Sequence, residues 1–213
     1  MAAPLSVTHD GLEQQFGVNH VGHQHLTTLL MPALAAAGTA AEPARVVNLS
    51  SMGQWLFALP QGIAFDKLAP EPQTYNPWTR YSETKLANIL HAHEVARRAK
   101  AAGQHLVGVA VHPGAILGTK LARHMGAYIT YVMFRELLRR GRTTYALTRG
   151  NKTIAVGAAT QVLAALDPAI RSGYYADCKE ETYAVHPLAF NEALAAQLWE
   201  HTEKLIAGVK AKA

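Results

Sequence analysis

Three short apolar runs, set apart by helix-length segments, restrict what this chain can become more than any other feature. Ala44 to Ser51, His105 to Val111 and Gly173 to Cys178 are β-branched or aromatic, bounded by turn residues, and read as buried strands. Between and around them the apolar spacing is helical: His9 to about Ala37 with Thr8 as N-cap and Gly38 as stop, a Tyr81 helix ending near Gly103, Thr153 to Leu166, and Pro187 to about Val209. Helix alternating with strand predicts α/β architecture, a doubly wound parallel sheet with helices on both faces. About three strands make a thin sheet for helices of this length, so the sheet should be incomplete on its N-terminal side. No repeat or low-complexity linker divides residues 1–213, which are read as a single domain.

Two stretches stand outside that alternation. Residues 52–78 are rich in Gly, Pro and aromatics and form a long loop, with a short strand expected at Ile63 to Phe65. Residues 115–150 read as an irregular, partly helical insertion carrying Arg135, Arg139, Arg140 and Arg142. The formal charge of +5 is otherwise scattered, so this cluster reads as a solvated face or lid and not as a nucleic-acid surface. One cysteine, Cys178, excludes an internal disulfide framework, fits a reducing and cytoplasmic setting, and has no thiol partner for redox chemistry. The histidines at 20, 23 and 25 are not read as a metal site, because His23 and His25 are two apart and diverge on a helix. The sequons at Asn48 and Asn151 are discounted, the first because it lies in a buried strand.

The chemistry converges on the start of the Tyr81 helix. Tyr81 and Lys85 lie four apart, one helical turn, and a cation beside a phenol favours the phenolate and so lowers the tyrosine pKa. Open α/β sheets place their chemistry beyond the carboxyl ends of the strands. There the first strand ends in Ser50-Ser51 and the second in His112-Pro113-Gly114, while Asn19 is an isolated amide in an apolar helix.

The strings FGVNHVGH (16–23), RVVNLSS (45–51), YNPWTRYSETKLANIL (75–90), VGVAVHPG (107–114), KTIAVGAAT (152–160), GYYADCKEE (173–181) and LWEHTEKL (198–205) occur in this order. Together they resemble the short-chain dehydrogenases/reductases, in the branch of the retinol dehydrogenases and the WW-domain oxidoreductase, over essentially the whole chain. The resemblance implies a Rossmann-type fold and NAD(P)-dependent interconversion of a lipophilic alcohol and its carbonyl. Tyr81 would be the general acid/base, Lys85 would tune it and hold the nicotinamide ribose, and Ser51 would bind the substrate oxygen. Asn19 would hold a relay water, Pro113 and Gly114 would border the nicotinamide, and Thr119 would touch its amide or the diphosphate. The helices of Asn19 and Tyr81 would supply a homodimer interface.

No Gly-rich strand–turn–helix string for a pyrophosphate occurs in the 213 residues, and the strand that would select NAD or NADP is missing with it. The strand at Val46 to Leu49 would then lack a neighbour and present an assembly surface. Two accounts follow: a piece of a complete oxidoreductase, or an inactive shortened form acting as a binding, dimerisation or regulatory module. The chain by itself is expected to have little activity. Trp55, Leu56, Phe57, Tyr128, Tyr131, Met133 and Phe134 suit a lipophilic substrate, and the arginine cluster would fit a peripheral membrane contact.

Overall fold

A computed structural model describes residues 1–116 and 152–211, together with Thr119, Leu121, Tyr131, Arg135, Leu138 and Arg139. Its sheet has four strands in the order β1 (Ala44–Leu49), β2 (Leu106–His112), β3 (Gly173–Ala176) and β4 (Lys179–Glu180). The first three are parallel, with Ala44 opposite Leu106 and Val109 opposite Gly173. β4 is a two-residue antiparallel return from β3, reached through Asp177 and Cys178, both at positive φ. That tight return is why the third strand stops at Ala176 and not at Cys178.

Side chains alternate across the sheet as the pleat requires. On one face Ala44, Val46, Leu106, Ala110 and Tyr174 meet α2 (Gly22–Ala37), α4 (Pro77–Ala101) and the closing helix α6 (Glu192–Lys210). On the other, Val47, Val107, Val109, Val111 and Tyr175 pack against Leu163 and Ala164 of α5 (Ile154–Leu166). α4 is the central helix and comes close enough to β2 that a Cβ at Gly108 would sit 2.0 Å from the Ala92 carbonyl oxygen. Its start is well determined: Asn76 accepts hydrogen bonds from the Trp78 and Thr79 amides, and Pro77 occupies the first helical position.

The N-terminal helix is not continuous from His9. It begins as α1 (Gln14–Phe16), capped by the Glu13 carboxylate and not by Thr8, passes through a π-helical turn at Gly17–Val21, and continues as α2. Thr8 instead accepts the Leu12 amide in a preceding turn. α3 (Gly53–Leu56) follows β1 directly. No strand forms at Ile63 to Phe65, because the Glu83 carboxylate takes the Ala64 amide and the chain turns into a 3₁₀ helix at Phe65–Lys67. The closing helix starts at Glu192, capped by Asn191, five residues after Pro187. Ile116 and Lys152 pair in a parallel bridge, so the two ends of the intervening segment lie together. Arg140 and Arg142, with Tyr128, Met133, Phe134 and the Asn151 sequon, lie outside the described residues.

β1 forms the outer edge of the sheet, and its far side pairs with no strand among the described residues. The Ala44 amide donates to His105, just before β2, and the Ser50 amide to Val111 of β2, so the N–H and C=O groups of Arg45 and Val47 point the opposite way, outward. Leu49 of β1 is exposed, as are Leu26, Leu29 and Leu30 of α2 and Ile154, Val156, Val162 and Leu166 of α5, the two helices that touch β1 on its opposite faces. No described helix is long and apolar enough to cross a membrane.

Candidate active site

The carboxyl ends of β1 and β2 lie side by side and bring most of the expected residues together. The Ser50 amide donates to the Val111 carbonyl at 2.8 Å, and the Met52 amide reaches His112 Nδ1 at 3.4 Å, which places Ser51 beside His112, Pro113 and Gly114. The first turn of α4 lies over this corner. Ser50 donates its hydroxyl to the Lys85 carbonyl at 2.7 Å, holding strand end and helix in register.

Tyr81 is buried, and its ring and Ser51 Oγ flank the same point, since a Cβ built on Gly53 would lie 2.8 Å from Tyr81 Cε1 and 3.3 Å from Ser51 Oγ. Gly53 is therefore a requirement of this approach. Ser51 Oγ accepts the Gly53 amide at 3.0 Å. Lys85 Nζ lies 5.8 Å from the Tyr81 ring centroid and donates to the Leu49 carbonyl at 3.0 Å. The electrostatics differ from the expectation that Lys85 lowers the phenol's pKa. Burial raises the Tyr81 phenol above its ordinary value, and the Ser51 hydroxyl pulls it partly back. Burial brings the Lys85 ammonium down to about 8. Burial thus keeps the phenol protonated, with a lysine that sheds its own proton near pH 8 one turn along the helix.

Asn19 sits in the π-helical turn, a distortion found often at functional sites. Its Nδ2 donates to Thr84 Oγ1 at 3.2 Å, and the Thr84 hydroxyl donates to the Tyr81 carbonyl, so Asn19 is tied to the residue between Tyr81 and Lys85. Gly114 has φ +82°, and the Lys152 side chain crosses it so closely that a Cβ would meet Lys152 atoms at 2.7–2.8 Å. Lys152 is itself held by an ion pair with Asp177. Thr119 is exposed at a bend, with its hydroxyl accepting the Leu121 amide at 3.4 Å, and is not drawn into this group.

Sequence reasoning missed the support behind Lys85. Asn88 is buried, and its Nδ2 donates to the same Leu49 carbonyl at 2.9 Å. The available signal was spacing, since Asn88 follows Lys85 by three residues and shares its helix face. Lys152, placed over Gly114 by the bridge to Ile116, left no local signal. Two surface depressions of about 480 and 400 Å³ lie between the N-terminal segment and α6, away from Tyr81 and Ser51.

No family model matches the chain. Among curated proteins it is 32% identical over 210 residues to the chloroplastic short-chain dehydrogenase TIC 32 A of Brassica napus, covering 97% of this chain and 61% of that one. It is 37% identical to retinol dehydrogenase 14 of Homo sapiens, covering 97% of this chain and 56% of that protein. Among solved structures, an uncharacterised protein from Mycobacterium paratuberculosis superposes with a TM-score of 0.64 at 31% identity, over 96% of this chain and 63% of the other. The chain therefore spans about three-fifths of the length of the curated relatives it matches.

Proposed function

The chain belongs to the short-chain dehydrogenase/reductase family, in its retinol dehydrogenase-like branch, and on that premise we propose that it carries the catalytic half of an NAD(P)-dependent oxidoreductase acting on a lipophilic alcohol or carbonyl. The observation that carries this reading is the placing of Ser51 and Tyr81 about one point beside Gly53, with Lys85 one turn along the same helix. In reduction, Tyr81 gives its phenolic proton to the substrate oxygen while Ser51 donates to the same oxygen and polarises the carbonyl. In oxidation, Tyr81 takes the alcohol proton. Lys85 restores the proton balance of Tyr81, and Asn19 orients a water toward that lysine.

The chain's residues fit one end of a dinucleotide. Lys85 has donors free beyond its bond to Leu49 among the described residues, and Pro113 with Gly114 borders the same corner, where the Lys152 side chain crosses Gly114. When bound there, a nicotinamide supplies or accepts the hydride. For the diphosphate no Gly-rich turn opening a helix occurs in the sequence. A second reading, a binding or dimerisation module, draws on the apolar groups exposed along β1.

The test is NADH- and NADPH-dependent reduction of long-chain aldehydes by the purified chain, alone and mixed with a separately expressed nucleotide-binding half from a relative. Turnover is expected only in the mixture, and Tyr81→Phe should lower it by about 10²–10⁴-fold. Turnover in the mixture that is indifferent to Tyr81→Phe would overturn the catalytic assignment. Saturable turnover by the chain alone would show that a separate diphosphate-binding half is unnecessary.

A further inference from the structure

Behind Lys85, α4 carries a buried polar group whose hydrogen atoms can be assigned from its neighbours. His20 is fully buried, and its Nε2 lies 2.9 Å from Thr202 Oγ1. The Thr202 hydroxyl donates to the Leu198 carbonyl at 2.9 Å, and with its hydrogen there His20 Nε2 is the donor and Nδ1 keeps a bare lone pair. His91 is buried one turn beyond Asn88 and stacks on Trp199. Its Nδ1 lies 2.7 Å from Asn48 Nδ2, which also lies 3.2 Å from the Asn88 carbonyl. An atom facing a carbonyl must be the amide nitrogen, so His91 Nδ1 accepts and its Nε2 carries the hydrogen. Asn88 donates from Nδ2 to Leu49, which turns its Oδ1 the other way.

Three buried atoms then have no protein partner among the described residues: His20 Nδ1, Asn88 Oδ1 and His91 Nε2. Their side chains are neighbours. The His20 and His91 rings lie 6.0 Å apart, edge to face, and His20 is within interaction range of the Asn88 side chain. Two are acceptors and one is a donor. With His20 in the Nε2–H form, Asn88 Oδ1 and His20 Nδ1 both offer lone pairs and cannot satisfy each other; only the Nδ1–H form would let the ring donate to Asn88 directly. Burial disfavours protonated His20, and the same holds for His91, so neither ring supplies the missing hydrogen.

We propose that one buried water molecule sits between His20, Asn88 and His91, accepting from His91 Nε2 and donating to His20 Nδ1 and Asn88 Oδ1, and that it makes Asn88 a positioning residue for Lys85. Three bonds are the usual complement of a buried water. The water fixes which way the Asn88 amide faces. With Oδ1 turned inward, Nδ2 shares the Leu49 carbonyl with Lys85 Nζ. A flipped amide would set oxygen against oxygen at that carbonyl and leave it to the lysine alone. The importance of Lys85 rests on the proposed function; the water does not, and its measurement needs no turnover.

The experiment is heteronuclear NMR on the intact chain labelled with ¹⁵N at histidine and lysine. Long-range imidazole correlations should show the Nε2–H tautomer for both His20 and His91, and His91 Hε2 should show a persistent cross-peak to a bound water. His91→Phe removes the donor but keeps a ring against Trp199, and should move the Lys85 ammonium midpoint by roughly half a pH unit or more. His91→Gln, which restores an N–H, should bring the midpoint back. A Nδ1–H or doubly protonated His20, or no water cross-peak at His91, overturns the water in the wild-type protein whatever the variants do. A water present with an unmoved Lys85 midpoint in His91→Phe overturns the positioning role. If both hold while Tyr81→Phe leaves turnover intact, the water stands and the catalytic reading falls.

Discussion

Arg80, the residue before Tyr81, is the place where a single substitution should do most damage without touching the chemistry. Its guanidinium is 4% exposed, with Nε 3.6 Å from Glu13 Oε2 and Nη1 3.3 Å from Glu83 Oε2, and Nη2 bonded to the Lys67 carbonyl. Neither carboxylate can swing away. Glu13 caps α1 through the Gln15 and Phe16 amides, and Glu83 holds the Ala64 amide. Arg80→Met therefore strands two buried carboxylates, and breaking a buried pair from one side costs about 3–5 kcal/mol. That is a large share of a typical stability of about 5–15 kcal/mol and lowers Tm by roughly 6–20 °C for a chain of this size. The loss should also depend on pH. Burial already raises the Glu83 carboxyl above its ordinary value, and removing the cation raises it further. A carboxyl raised in the folded state contributes stability below its unfolded pKa and loses it as pH rises through the folded one. The gap between wild type and variant should thus be narrow near pH 4.5 and wide at pH 8. Urea unfolding followed by circular dichroism at both pH values measures it, and adding Glu13→Gln and Glu83→Gln should recover stability. A cost below about 1 kcal/mol, or the same gap at both pH values, would refute the reasoning.

Lys85 titrates near 8, below the ordinary lysine range, so the folded protein sheds this proton before the unfolded chain does, and stability should rise on its account from about pH 8 towards 10.5. Competitive acylation read by peptide mass spectrometry should place the Lys85 midpoint near 8, and a midpoint in the ordinary lysine range would contradict the burial argument. Leu29 and Ile154 are 63% and 66% exposed on the two helices beside β1. Wild type should self-associate at concentrations on the order of tens of micromolar, and Leu29→Lys with Ile154→Lys should move that onset severalfold higher by light scattering. A wild-type chain that stays monomeric at ~1 mM would show that this edge is not sticky.

Much of the sheet was legible because parallel strands must be apolar on both faces, and the runs at Val46, Val109 and Tyr174 have no other good use. The family strings likewise led to the Ser51–Tyr81–Lys85 corner. What was not legible depended on partners distant in sequence. Glu13 outcompetes Thr8 as a cap because Arg80, 67 residues on, holds its carboxylate. Ile63 to Phe65 loses its strand to one hydrogen bond from Glu83. Spacing set Tyr81 beside Lys85 but carried no measure of their burial, and burial fixes the direction of both titrations. His91 reads as an ordinary helix-surface residue until Asn48 and Trp199 are seen against it.

The outward-facing amides and carbonyls of Arg45 and Val47 make the pairing of the β1 edge a matter of concentration. A strand delivered to this edge by a tethered segment is presented at about millimolar effective concentration, so even a weak pairing would be populated. The same strand on a separate molecule at micromolar concentration starts about 4 kcal/mol behind. Any activity that depends on closing the β1 edge would therefore respond steeply to how much of the complementing strand is present and whether it is covalently attached.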